Sequence, residues 1–316
     1  MPIQIFIDGS AGTTGLRIVQ RLAERAKTEP LTVRMLEGEQ RKDLAARIDA
    51  INRSDVAFLC LPDAAAREIV PHIDPAVRVL DTSTAHRTAP GWVYGLPELH
   101  GTRAALKTAA RVAVPGCHAT GFIALAAPLV QAGLLPAGAR LSCTSLTGYS
   151  GGGKTMIADY EADGRPAALE ACRPYGLALH HKHLPEMQAV CGLEAPPLFV
   201  PVLGDYYAGM LTMLPLFPAQ YGTTAGTIAG ALAEYYAGEP MVTVHGLGQG
   251  TENGFLAANA LAGSDRLEIF CLPSPDGAQL QLVSLFDNLG KGSSGAALQC
   301  MNAMLGLPET QGLSRT

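Results

Sequence analysis

Ile3-Gln4-Ile5-Phe6-Ile7-Asp8-Gly9-Ser10-Ala11-Gly12-Thr13-Thr14-Gly15 is the stretch on which the fold reading turns. A short β-branched, apolar run ends in a G-x-x-G-x-x-G loop, and from Thr13 onward the residues suit a helix. Glycines in such a loop let the backbone approach a pyrophosphate, while the N–H groups at the helix start supply donors and a partial positive charge. In a chain with 35 glycines the pattern alone is weak, and an ordinary tight turn would look similar. Its place after the first strand and before a helix is what points to a dinucleotide. On this reading Gly9, Ser10, Gly12, Thr13, Thr14 and Gly15 contact a cofactor.

Outward from this loop, residues 3 to 131 alternate short apolar runs with helical stretches. Strands are expected at 3–8, 31–37, 56–60, 77–81 and 111–114, and helices at 13–26, 43–51, 63–70 and 98–109. That is the pattern of βαβ units, hence an α/β fold with a Rossmann-type parallel sheet. Parallel crossovers are right-handed and ligands settle beyond the carboxyl ends of the strands, so the loops after Asp8, Cys60, Asp81 and Val114 should share one face. From Leu141 the texture changes to longer extended runs at 198–203, 210–217, 241–245, 267–272 and 279–286, with few helices separating some of them. These predict a second, α+β domain with a mostly antiparallel sheet. A last helix, 293–305, is expected to return to the first domain.

The 316 residues are 48% hydrophobic and 16% charged with no single-sign block, which predicts a packed chain throughout. A net charge of -5 offers no broad basic field, which argues against nucleic acid as a partner. The N-terminal residues lack the features of a secretory signal, and no run reaches the roughly 18 apolar residues of a membrane span, so a cytoplasmic protein without a membrane partner is expected. Cysteines at 60, 117, 143, 172, 191, 271 and 300 include no C-x-x-C pair, so neither a disulfide framework nor a zinc knuckle is indicated.

Cys117 stands apart. Val114-Pro115-Gly116-Cys117-His118-Ala119-Thr120-Gly121 lies where the fifth strand ends and a helix running to about Gln131 begins. A thiol at a helix N-terminus has its thiolate stabilised, whereas the other cysteines sit in apolar or unremarkable stretches. A nucleophilic thiol needs a proton-transfer partner, and His180-His181-Lys182-His183-Leu184-Pro185-Glu186 is the best source, with Lys182 helping to attract an anion. No H-E-x-x-H spacing supports a metal there, and none is expected. Asp81-Thr82-Ser83-Thr84-Ala85-His86-Arg87 and Ser150-Gly151-Gly152-Gly153-Lys154 are further polar points. Arg87 could grip a phosphate or carboxylate, or serve a surface ion pair, and the glycine run could admit the cofactor closely. Glu37 would suit the ribose of NAD, while Arg41 and Lys42 would attract the 2'-phosphate of NADP, which is the preferred reading. A nicotinamide cofactor beside an activated cysteine implies aldehyde-level redox chemistry through a thioester and a thiohemiacetal.

Taken together the motifs resemble the N-acetyl-gamma-glutamyl-phosphate reductase family of arginine biosynthesis, in its shorter form. The matching stretches are the Gly9 to Gly15 loop, Asp81 to Arg87, Tyr94-Gly95-Leu96-Pro97-Glu98-Leu99, Pro115-Gly116-Cys117, the histidine segment, and Phe286-Asp287-Asn288-Leu289-Gly290-Lys291-Gly292. The resemblance implies NADP, Cys117 as nucleophile, an acid/base among His181 and His183, and a cofactor contact near Asn288. Ser83 and Gly152 are assigned to the cofactor with it, and Arg87, Glu98 and Lys182 to a small acyl-phosphate substrate. It also implies a Rossmann domain of residues 1–116 with 290–316, a catalytic domain of residues 117–289, and a homo-oligomer, dimer or tetramer. His118, where the longer form often has an aromatic residue, and Lys182, where the family often has Arg, depart from the pattern. The register of the catalytic histidine thus stays open. A phosphorylating aspartate-semialdehyde dehydrogenase and a non-catalytic NADP-binding redox sensor are the rival readings.

Overall fold

Alternation of apolar side chains along very short strands builds the first half of the chain. The computed structural model describes residues 1–9 and 12–316, so Ser10, assigned above to the nucleotide loop, lies outside the described residues. These form two compact units, Met1–Pro115 with Ser293–Leu313 and Gly116–Gly292 with Ser314–Thr316.

In the first unit β1 (Ile3–Asp8), α1 (Thr13–Arg25), β2 (Leu31–Arg34), α2 (Leu44–Asn52), β3 (Val56–Leu59), α3 (Asp63–Ile69), β4 (Arg78–Asp81), β5 (Val93–Tyr94), α4 (Thr102–Thr108) and β6 (Arg111–Ala113) follow one another. The strands form a parallel sheet of order β2-β1-β3-β4-β6-β5. Successive side chains of a strand point to opposite faces. Ile5, Ile7, Phe58, Leu80 and Val112 therefore pack with Ile18 and Leu22 of α1 on one face, and Phe6, Ala57, Leu59 and Val79 with Ile51 of α2 and Ile69 of α3 on the other. Register aligns Asp8 with Leu59, Leu59 with Asp81 and Asp81 with Ala113, so the carboxyl ends of β1, β3, β4 and β6 form one edge. Strand order reverses between β1 and β3, the switch point at which such sheets take ligands.

Two expectations are corrected here. The second strand ends at Arg34 rather than at 37, because its pairing with β1 stops there and the chain turns out through Gly38 (φ +55) into a short 3-10 helix, Gly38–Arg41. The helix expected from 98 begins only at Thr102, after Gly101 turns the chain at φ +81.

In the second unit α5 (Cys117–Gln131), β7 (Ser142–Gly148), α6 (Gly153–Glu161), β8 (Arg173–Pro174), α7 (Leu184–Cys191), β9 (Leu198–Gly204), β10 (Met210–Leu216), α8 (Ala225–Tyr235), β11 (Val242–Val244), β12 (Leu267–Pro273) and β13 (Leu280–Phe286) are arranged around a sheet of order β11-β12-β13-β10-β7-β9-β8. Four of its six neighbouring pairs are antiparallel, and β7–β9 and β11–β12 are parallel. α5 lies close against β10 and β13. A Cβ at Gly121 would stand 2.4 Å from Thr212 Oγ1 and 2.8 Å from Ser284 Oγ, so only glycine permits this approach. Pro128 inside α5 has no N–H to give the carbonyl of Ala124, and the Tyr236 hydroxyl donates to that oxygen instead at 2.8 Å. The chain then returns to the first unit as α9 (Gly295–Leu305), whose Ala296, Leu298 and Met301 join the core beside α1.

Candidate active site

The turn after β1 is tight because its neighbour is close. Gly9 has φ +85, and a Cβ there would stand 2.1 Å from the carbonyl oxygen of Cys60, at the end of β3. No other residue type fits without moving that backbone. Gly12 caps α1 without a side chain, and Thr13 begins the helix. Thr14 Oγ1 lies 2.9 Å from Ser293 Oγ, and Gly15 is buried in the first turn. Beside this turn opens a cavity of about 250 Å³ lined by Asp8, Gly9, Leu36, Gly38, Arg41 and Lys42. It thus gathers the glycine turn and the two cations that the sequence singled out. Arg41 and Lys42 are exposed, and the buried Asp8 is held by Arg47, with 2.9 Å between Arg47 Nε and Asp8 Oδ2. Burial raises the Asp8 carboxyl above its ordinary range against the opposing pull of Arg47.

The turn after β4 is organised by one buried carboxylate. Asp81 accepts from Ser83 N at 2.9 Å and Ser83 Oγ at 2.7 Å, and it pairs with His86 Nδ1 at 2.6 Å. His86 in turn stacks on Trp92 with 4.2 Å between ring centroids. The Ser83 hydroxyl thus serves the turn itself. Arg87 donates from Nε to the carbonyl of Val114 and from Nη2 to that of Thr82, which fixes its guanidinium at the carboxyl edge of the sheet. Glu98 is buried, and its Oε1 accepts from Gln299 of α9 at 2.7 Å.

The thiol has a distinctive setting. From Val112 to Leu129 every residue except Cys117 is buried. Cys117 opens α5 behind the Gly116 cap, where the first-turn amides lack intrahelical acceptors and the helix carries its positive end. Room beside the thiol depends on Gly292, where a Cβ would stand 2.9 Å from Cys117 Cβ. Four other thiols are disfavoured as thiolates. Burial, aided by the carboxylates of Asp81 and Asp8, pushes Cys60 up to about 12. Burial alone pushes Cys271 up to about 11, and burial raises Cys143 and Cys191 as well.

Against the thiol's helix stands the histidine segment. His183 is buried at the start of α7, its Nε2 4.0 Å from Glu186 Oε1. The other Glu186 oxygen accepts from Gly116 N at 3.2 Å, so one buried carboxylate joins the histidine to the residue before Cys117. His181 is half-buried, its Nδ1 accepts from His183 N, and its ring meets the His183 ring edge-on at 4.7 Å. Lys182 is exposed. In the same unit Asn288, fully buried, accepts from Gly209 N at 2.9 Å and donates to Ser150 Oγ at 3.1 Å, tying it to the exposed glycine run that contains Gly152.

Sequence reasoning gave Glu186 no role, although a Glu three residues after a His at a helix start is a readable signal. It also missed Gly292 and Tyr175, whose hydroxyl lies 2.8 Å from Nε2 of the buried His118; only the fold reveals these partners.

Family models match two successive stretches of the chain. Residues 117–288 match the semialdehyde dehydrogenase dimerisation domain, and residues 4–109 match the semialdehyde dehydrogenase NAD binding domain. The chain is 46% identical over 308 residues to an N-acetyl-gamma-glutamyl-phosphate reductase of Burkholderia orbicola, covering 96% of this chain and 97% of the relative. It is 45% identical over 311 residues to the Rhizobium meliloti enzyme of that name (96% and 99% covered), and 46% identical over 314 residues to N-acetyl-gamma-glutamyl-phosphate reductase 2 of Pseudomonas putida (98% of each). Among solved structures, aspartate semialdehyde dehydrogenase II from Vibrio cholerae has the same fold, with a TM-score of 0.71 at 16% identity over 96% of this chain and 99% of that one. Among the described residues no helix is long and apolar enough to cross a membrane.

Proposed function

Because the chain belongs to the N-acetyl-gamma-glutamyl-phosphate reductase family, we propose that it reduces N-acetyl-gamma-glutamyl phosphate to N-acetylglutamate 5-semialdehyde and phosphate. The supporting observation is the setting of Cys117, the single accessible residue in a buried stretch, at a helix N-terminus and joined through Gly116 and Glu186 to His183.

The Cys117 thiolate attacks the acyl carbon, a C–S bond forms, the C–O bond to the phosphoryl group breaks, and phosphate leaves. Amides of the first turn of α5 suit the oxyanion that develops at each tetrahedral stage. When bound, NADPH supplies the hydride that takes the thioester carbonyl to the alkoxide level. His183, oriented by Glu186, is the acid/base that protonates this oxygen and takes the proton back as the C–S bond breaks and the aldehyde departs. His181, its ring edge-on to that of His183, shapes the ring's surroundings.

NADPH rather than NADH is the reductant on this reading. Gly9 gives the bare backbone a pyrophosphate needs, and Arg41 and Lys42 line the adjoining cavity where a 2'-phosphate would find two cations. Gly12, Thr13, Thr14 and Gly15 complete that cradle in the first unit, while the assignment of Asn288 and Gly152 to the cofactor and of Arg87, Glu98 and Lys182 to the acyl phosphate rests on the family resemblance. The setting is arginine biosynthesis in the cytoplasm, by a homo-oligomer assembled through the matched dimerisation domain.

The purified protein should oxidise N-acetylglutamate semialdehyde with NADP only when inorganic phosphate is present. Turnover independent of phosphate rejects the acyl-phosphate chemistry, and preference for aspartate semialdehyde in the same assay moves the substrate assignment.

A further inference from the structure

Phe286-Asp287-Asn288-Leu289-Gly290-Lys291-Gly292 turns back on Cys117 at the start of α5. A Cβ at Gly292 would stand 2.9 Å from Cys117 Cβ, 3.2 Å from Phe286 Cε2 and 3.2 Å from the carbonyl oxygen of Asp287, so a side chain there has no free direction. The bare Cα of Gly292 is thus one wall beside Cys117.

Asp287 shapes the turn that carries this wall. Its carbonyl accepts from Gly292 N at 2.9 Å, a bond that spans five residues where an α-helix spans four. Its carboxylate is fully buried, with Oδ1 accepting from Leu289 N at 2.8 Å and Oδ2 from Gly263 N at 2.7 Å. The first bond closes an Asx-turn within the segment, and the second ties the segment to a loop 24 residues earlier in the chain. Gly290 presses on the same loop, since a Cβ there would meet the Ser264 carbonyl oxygen at 2.1 Å. The chain's last residues hold that loop in turn. Asp265 N donates to the Ser314 carbonyl at 2.8 Å, and Asp265 Oδ2 accepts from Ser314 N at 2.7 Å. Ser264 and Asp265 are both buried. A turn fixed at two points on a buried loop cannot draw away from its neighbour. Only a carboxylate offers an acceptor to both backbone amides, because an amide side chain would serve one and face the other with its own N–H groups.

We infer that Asp287 is a positioning residue for the nucleophile: it staples the turn 287–292 to the loop 263–265, so that Gly292 stays as a fixed, side-chain-free wall beside Cys117. The tail at Ser314 braces the loop. This rests on Cys117 as the nucleophile, but its test requires neither substrate nor cofactor.

The test is the rate of Cys117 alkylation by iodoacetamide, read by mass spectrometry of its peptide and referred to the exposed Cys172 in the same sample. Gly292→Ala should slow Cys117 by about tenfold, because the added methyl must fit against a wall that cannot retreat. In an Asp287→Asn background the same methyl should slow it by about threefold or less, since the turn can then give way. Cys143 and Cys191 are buried and report on the unit as a whole. If both react in Asp287→Asn, deletion of residues 314–316 takes its place, because it slackens the same loop without touching the turn, and the same reduction is expected. Equal slowing in the stapled and released backgrounds, or no slowing by Gly292→Ala in the native one, overturns the inference. A wall that depends on Asp287 in a protein that turns over no semialdehyde would uphold it and reject the enzymatic reading. Normal turnover with equal slowing would reject the inference alone.

Discussion

Lowering the pH from 7 to 5 should cost the native fold about 2 kcal/mol more than it costs a His118→Phe variant. His118 is 2% exposed and pushed down to about 3 in the folded protein, foremost by burial, whereas its ordinary value is 6.5. The folded value lies below the unfolded one, so between them the unfolded chain binds one more proton and stability falls as the pH falls. Each pH unit inside that window is worth about 1.4 kcal/mol, and pH 5 lies about 1.5 units below the upper limit. Urea unfolding of both proteins, followed by circular dichroism at pH 7, 6 and 5, isolates this group because the remaining titratable residues are common to the two. The variant also loses the two contacts of the ring, which displaces its curve at every pH without changing the slope. Parallel curves for the two proteins would refute the reasoning, since they would mean that His118 takes up its proton in the folded state as readily as in the unfolded one.

Gly121→Ala places a Cβ 2.4 Å from Thr212 Oγ1 and 2.9 Å from Phe286 Cε1, so α5 must lift off its sheet. The expected loss is about 1–3 kcal/mol in denaturant unfolding, and an unchanged midpoint would contradict the close approach. Gly9→Ala meets the Cys60 carbonyl at 2.1 Å from a backbone at φ +85, and fluorescence titration should find nucleotide binding lost, whereas normal affinity would remove the turn from the cofactor site. Replacing Arg41 and Lys42 by Ala should weaken NADPH binding by about 10–100-fold, the loss of a charge-assisted contact, and leave NADH binding as it was. Equal weakening of both cofactors would end their assignment to the 2'-phosphate.

What could be read from the residues follows from the range over which each signal acts. Strand β1, the turn at Gly9 and helix α5 were legible because apolar alternation, glycine and helix periodicity act within a few residues. β5 was not. It has two residues, Val93 and Tyr94, and exists only because β6 offers it a partner. α7 and α8 were passed over among extended runs, although Pro185 and Gly192 (φ +69) bracket the first and Thr224 caps the second through Thr227 N at 3.1 Å. Within the candidate site, Cys117 and the histidine segment announced themselves by residue type and position. The proposal of His183 over His181 rests on the Glu186 carboxylate, which also meets Gly116, 70 residues away in the chain. Tyr175 reaches His118 across 57 residues, and no local pattern marks such a pair.

Helix α9 carries a consequence for how the protein is made. It supplies Ala296, Leu298 and Met301, among others, to a core whose members from Ile5 to Val114 leave the ribosome first. At roughly 5–20 residues per second, the stretch between them takes on the order of ten seconds or more to synthesise. During that interval the face of the nucleotide-binding sheet that carries α1 is only partly covered, a surface that chaperones or the nascent chain's own later segments must shield. A message truncated before the final helix would therefore yield an aggregating product rather than a small independent nucleotide binder.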